Sequence, residues 1–129
     1  ITAEDDVLVR LRAPNNAIYI NAKNAGIVAS SLMVIIKNIY PNILDSRFLT
    51  YYLNSQYAQN QLLKNSQGTS IIMTKRIDLL ELDINLLPLD EQHKIINYIE
   101  LANQEVDLLH KLTAEKINLK TNIFETLIK

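Results

Sequence analysis

From Leu89 to Lys129 the sequence runs without a glycine or a proline. That feature constrains the fold more than any other. Proline ends a helix and glycine weakens one, so a stretch lacking both, just after Pro88, predicts one continuous helix. Asp90 suits an N-cap, and Glu91 sits favourably in the first turn of the helix dipole. Ile95, Ile99, Ala102, Val106 and Leu109 step by 4, 3, 4 and 3, the seam of a coiled coil. Leu112 follows by a step of three where four is due, and the line resumes through Leu119, Ile123 and Leu127 past Lys116. Such an interruption changes the supercoil locally. At about 1.5 Å per residue the helix spans roughly 55–60 Å, more than a domain of this size covers. Part of its apolar edge therefore needs a partner helix.

The preceding residues have different periods. In Val7–Arg12, VLVRLR, residues Val7, Val9 and Leu11 share one face of a strand and Leu8, Arg10 and Arg12 the other. The turn chemistry of Ala13–Asn16 separates it from a second short strand, Ala17–Ile20, and Asn21–Gly26 forms the next turn. Leu32–Lys37 is a β-branched apolar run that reads as a strand buried on both faces. Pro41 blocks continuation. Asp45 then caps one helix over Ser46–Asn65, with Phe48, Leu49, Tyr52, Leu53, Leu62 and Leu63 on its apolar face and Gly68 near its stop. Thr69–Met73 reads as a short strand and Thr74–Asp78 as a helical turn. Leu79–Pro88 closes the sheet, with Leu82, Ile84 and Leu86 alternating. The expected fold class is α+β. A small curled sheet with packed helices fills residues 1–88, and one long coiled-coil helix fills residues 89–129.

The net charge of −1 conceals an uneven distribution. Val7–Arg76 carries eight Lys or Arg and one acid, a net +7, and the remainder carries five bases and thirteen acids, a net −8. A basic globular part beside an acidic helix points to a polyanion surface on the former. The basic segment also holds five tyrosines and nine asparagines. Lys and Arg contact phosphates, Arg addresses guanine, and Asn or Gln addresses adenine. The candidate DNA-binding residues, chosen by charge and loop position, are Arg10, Arg12, Asn15, Asn16, Lys23, Lys75 and Arg76.

Catalytic signals are missing. Two glycines make no phosphate loop, and the absence of cysteine excludes disulfides and thiolate metal sites. His93 and His110 are 17 residues apart, which is not metal-ligand spacing. The carboxylates of Glu4–Asp6 and Asp78–Asp83 read as solvated faces. No catalytic residue, metal or cofactor is expected. No apolar run reaches membrane-spanning length and the acidic start is no secretory signal, so the expected location is the cytoplasm.

Several stretches, in order, resemble the specificity (S) subunit of type I restriction-modification systems. DDVLVRLRAP resembles that family's "gDil" strand, RFLTYYLNS its Leu- and Tyr-rich helix, and LDINLLPLDEQHKII, Leu82–Ile96, its "LPPLxEQ-x-x-I" segment. The likeness runs over nearly the whole chain, as the C-terminal part of a target recognition domain and the conserved helix that follows. Two departures stand out: Asp5 occupies the place of the family's glycine, and about fifty further residues are expected upstream, from usual domain size. The chain is thus expected to be a fragment or a shortened half-subunit.

The resemblance implies a non-catalytic subunit that reads one half of a bipartite double-stranded DNA target. The long helix would act as a spacer in an antiparallel coiled coil. It would also dock the methyltransferase (modification) subunit, with the restriction subunit as a further partner. The helix-pairing residues would be Ile95, Ile99, Ala102, Val106, Leu109, Leu112, Leu119, Ile123 and Leu127, meeting a second copy or a second S half. The alternative from another class is a protein-interaction or dimerisation scaffold that does not itself bind DNA.

Overall fold

The structure, a computed structural model, describes residues 1–12, 14–65, 79–84 and 86–129. The expected strand at Thr69–Met73, the turn at Thr74–Asp78 and the stop at Gly68 lie outside the described residues. The fold is α+β. Its elements are β1 (Val7–Arg10), β2 (Ala17–Tyr19), β3 (Met33–Ile36), α1 (Ser46–Leu53), α2 (Gln56–Asn65) and α3 (Leu89–Ile128). Two compact units result, Ile1–His93 and Lys94–Lys129.

The sheet is antiparallel, in the order β2-β1-β3. Val7 pairs with Tyr19 on one side and Ile36 on the other, and Val9 with Ala17 and Val34. Alternation puts Val7 and Val9 on the face that α1 covers, where they form the core with Ala17, Leu49 and Leu53. Ile36, Ile39, Leu44, Leu79, Leu82 and Ile84 pack around that cluster. Burying a leucine such as Leu49 or Leu53 stabilises the fold by about 2 kcal/mol. The other face is apolar too, since Leu8 is buried.

Three sequence expectations change. The run at Leu32–Lys37 forms β3, an edge strand among the described residues, half-buried at all four positions instead of buried on both faces. Leu82–Ile84 adds no strand; its side chains wedge against the core from irregular backbone, and Leu86 is exposed. The helix expected over Ser46–Asn65 breaks at Asn54–Ser55. Asn54 ends α1, its N–H donating to Thr50 O, while the Ser55 hydroxyl accepts from the Ala58 N–H at the start of α2. Small polar residues that bond to nearby backbone compete with helix continuation in this way. The buried face consequently uses Phe48, Leu49, Leu53, Ala58 and Leu62, and leaves Leu63 exposed.

Asp5 has φ +69°, the left-handed region. This explains why a glycine suits that place in the motif that DDVLV resembles. The residue is held through backbone and side chain: Asp5 O accepts from the Ser46 hydroxyl at 2.7 Å, and Asp5 Oδ1 accepts from the Tyr19 hydroxyl at 2.6 Å. Asp5→Ala keeps the unfavourable φ and loses the Tyr19 bond, an expected cost of about 1 kcal/mol. Asp5→Gly loses the same bond but relieves the strain, offset in part by a freer unfolded chain. The glycine variant is therefore expected to be more stable than the alanine variant by about 1 kcal/mol, measured as the difference in urea midpoints. Equal midpoints would refute the strain at Asp5.

Candidate functional site

The loop between β1 and β2 carries most of the candidate contacts. Arg10 at the end of β1, Arg12 and Asn16 are exposed, and the Arg10 N–H donates to Asn16 O at 3.1 Å across the loop base. Lys23 is exposed in the turn after β2, where Asn21 Oδ1 accepts from the N–H groups of Lys23 and Asn24. It lies at the opposite end of β2 from Arg12, so the structure groups Arg10, Arg12 and Asn16 and leaves Lys23 apart. Lys75 and Arg76 fall outside the described residues.

Asn15 differs from its sequence reading. It is only 1 % exposed, and its Nδ2 donates to Arg10 O at 2.9 Å and Leu11 O at 3.0 Å. A side chain spent on two backbone carbonyls shapes the loop and is not presented at the surface. Its Oδ1 is buried with no hydrogen-bond partner among the described residues. Leaving a polar atom so costs about 1–3 kcal/mol.

Two carboxamides absent from the sequence-based set brace Asn15 and Ala17, where this loop enters β2. Gln59 Oε1 accepts from the Asn15 N–H at 3.2 Å, and its Nε2 donates to Asn15 O and Leu53 O, both at 2.8 Å. Asn54 Oδ1 accepts from the Ala17 N–H at 2.8 Å while its Nδ2 donates to Ala17 O at 2.9 Å. Nothing in the local sequence marks Asn54 or Gln59, because their partners are about forty residues away.

A second node joins the start of α1 to the start of α3. Asp45 has extended backbone and caps α1, its Oδ1 accepting from the Arg47 N–H at 2.9 Å. Burial alone would push the Asp45 carboxyl up. The Arg47 side chain and N–H, with His93 beside them, outweigh burial and hold it below the usual carboxylate value. Gln92 is fully buried: its Oε1 accepts from the Asp45 N–H at 2.9 Å, and its Nε2 donates to Ile43 O at 2.9 Å and Leu87 O at 2.8 Å. His93 Nε2 stands 3.3 Å from Asp45 Oδ2. Asp90 lies inside the first turn and does not cap it. The carbonyl of Pro88 accepts from Glu91 and Gln92, so the helix begins one residue before Asp90.

On α3 the seam residues Ile95, Val106, Leu109, Leu112, Leu119, Ile123 and Leu127 are exposed, with Ile99 and Ala102 half-exposed. Tyr98, Leu101, Leu108, Ile117, Phe124 and Ile128 are exposed as well, outside the seam. At about 100° per residue these side chains spread over an arc of roughly 200° of the helix circumference, twice a one-partner stripe. Glu105, Thr113, Lys116 and Lys120 interrupt the arc. Glu100, Gln104, Asp107, Lys111, Asn118, Asn122 and Glu125 fill the opposite side. A helical wheel would have shown the extra residues; a two-position repeat did not.

A basic loop and a long helix with an exposed apolar seam are the parts that the sequence suggested; the carboxamides under the loop and the width of the apolar arc are added by the structure. The family model of the type I restriction modification DNA specificity domain matches residues 1–123. The chain belongs to that family. The match takes in the whole Ile1–His93 unit and α3 as far as Ile123. The role of this specificity domain is DNA recognition within type I restriction modification, in association with the other subunits of such a system. The long helix of the specificity domain fits a coiled coil. The comparison with curated proteins finds no match. Among the described residues, no helix is long and apolar enough to cross a membrane.

Proposed function

We propose that this specificity domain reads one half of a bipartite DNA target without catalysing a reaction, and that α3 is both the spacer of the assembly and the docking element for the modification (methyltransferase) subunit. The observation that carries the reading is the family match across residues 1–123, which spans both the basic loop and α3. Arg10, Arg12, Asn16 and Lys23 supply the phosphate and base contacts, with Lys75 and Arg76 as further basic contacts. Asn15 supports them from within the loop. The apolar arc of α3 is wide enough for two neighbours: a second copy or second S half along the seam, and the modification subunit along the flank of Tyr98, Leu101 and Leu108. Leaving this surface in water costs about 25 cal/mol per Å², which favours pairing.

Fluorescence anisotropy with a random-sequence 30-base-pair duplex tests the DNA arm. The wild-type chain is expected to bind with an affinity that falls steeply as salt rises, because bound phosphates release counterions. Replacing Arg10 and Arg12 together by alanine is expected to reduce the slope of log K against log salt by about 2, one unit for each lost phosphate contact. If the wild-type chain shows no salt-sensitive binding at low ionic strength, the DNA-reading function fails and the scaffold reading takes its place.

A further inference from the structure

We propose that Gln59 and Asn54 are positioning residues for DNA reading: they hold the backbone of Asn15 and Ala17 in the place that presents Arg10, Arg12 and Asn16. The inference rests on the DNA-reading function proposed above.

In an antiparallel pair, backbone groups point alternately toward the partner and away from it. Arg10 and Ile20 donate to Asn16 O and Asp6 O across the β1–β2 pair, so Asn15, Ala17 and Tyr19 turn their backbone groups outward. No further strand lies beyond β2 among the described residues. Side-chain amides take its place. Gln59 closes both backbone groups of Asn15, Asn54 closes both of Ala17, and Asn24 Nδ2 donates to Tyr19 O at 3.4 Å. A carboxamide suits this task because its donor and acceptor lie side by side, as in a peptide group.

The clamp acts on the loop more than on the core. Gln59 also reaches Leu53 O, so the loop is referred directly to the end of α1. Asn15, thus fixed, turns its own amide to Arg10 O and Leu11 O and sets the loop at its other end. Backbone at residues 10, 11, 15 and 17 is tied down, while the side chains of Arg10, Arg12 and Asn16 stay exposed. Asn54 is exposed and Gln59 half-exposed, so water can replace the lost bonds when either is truncated. The apolar core under α1 is untouched by such a change. The expected consequence is a fold that survives with a loop that wanders.

Base reading needs side chains held in register, whereas phosphate attraction tolerates disorder. The test therefore separates the two. The full chain and the variants Gln59→Met, Gln59→Ala and Asn54→Ala are compared in selection from a pool of random-sequence duplexes. Anisotropy with one random duplex, amide exchange and thermal midpoint are measured alongside. Gln59→Met fills the same volume without the hydrogen bonds. Both Gln59 variants are expected to speed exchange of the Asn15 amide about tenfold, and Asn54→Ala that of the Ala17 amide. All three are expected to lower enrichment of the preferred sequence about tenfold, with random-duplex affinity changed less than about threefold. The thermal midpoint should move only a few degrees. Wild-type enrichment in the variants overturns the proposal, as does full enrichment by Gln59→Met, or a loss of binding that merely tracks the unfolded fraction. Failure of the wild-type chain to bind any duplex refutes the DNA-reading function itself and the inference with it, an outcome distinct from variants that bind and discriminate like wild type.

Discussion

Replacing Leu109 and Ile123 together by glutamate is expected to abolish lengthwise association through α3 while leaving the helix formed. Both side chains are more than half exposed and lie on the seam, near the centre and near the end of the apolar arc. Within a closed helix pair each would be desolvated, and an unpaired carboxylate there costs several kcal/mol. The two sites are 14 residues apart, roughly 21 Å along the helix, so their effects add. The dissociation constant of the pair is expected to rise at least about a thousandfold, equivalent to roughly 4 kcal/mol. Sedimentation velocity over a concentration series reads the change, and circular dichroism checks that helix content persists when paired material is diluted. A variant that associates as the wild type does would show that this face is not where α3 meets its partner. The matched control is Asp107 and Asn118 to alanine on the polar side, expected to leave association unchanged.

Gln92→Ala is expected to destabilise the Ile1–His93 unit by about 3 kcal/mol, the largest single-site effect on stability anticipated for this chain. The substitution leaves three backbone groups without their partner, Ile43 O, Leu87 O and the Asp45 N–H, in a place where Gln92 itself has no exposure. Each abandoned buried group costs about 1–3 kcal/mol, reduced where water follows into the gap. Gln92→Glu is expected to be no better. It keeps the acceptor for Asp45 but loses both donors and sets a carboxylate against two carbonyls and near the Asp45 carboxylate. Urea unfolding followed by circular dichroism measures both. A loss under about 1 kcal/mol for the alanine variant would mean that the turn before α1 holds the first turn of α3 by other means.

The seam on α3 was readable because a helix repeats itself: residues three and four apart meet on one face whatever the rest of the chain does. The cap at Asp45 was readable for the same reason, since its partner Arg47 is two residues away. Gln92 sat within a recognised motif, yet its partners at Ile43 and Asp45 come from nearly fifty residues earlier, and local pattern carries no trace of them. Asn15 shows the opposite error. Its composition and turn position resembled those of a surface contact, but the loop folds its amide inward onto Arg10 and Leu11.

Local pattern alone thus determined that the chain is α+β, that basic loops precede a long uninterrupted helix, and which line of that helix is apolar, because these follow from periodicity, charge and the rarity of glycine and proline. Only the tertiary structure decided that the helix after Asp45 splits at Asn54, that Leu82–Ile84 packs without pairing, and that Asn54, Gln59 and Gln92 serve as carboxamide clamps. Those outcomes depend on which backbone groups are left unpaired once the sheet has formed. A backbone group left without a partner favours whatever donor or acceptor fits it, so a side chain with matching geometry is drawn to it across any distance in sequence.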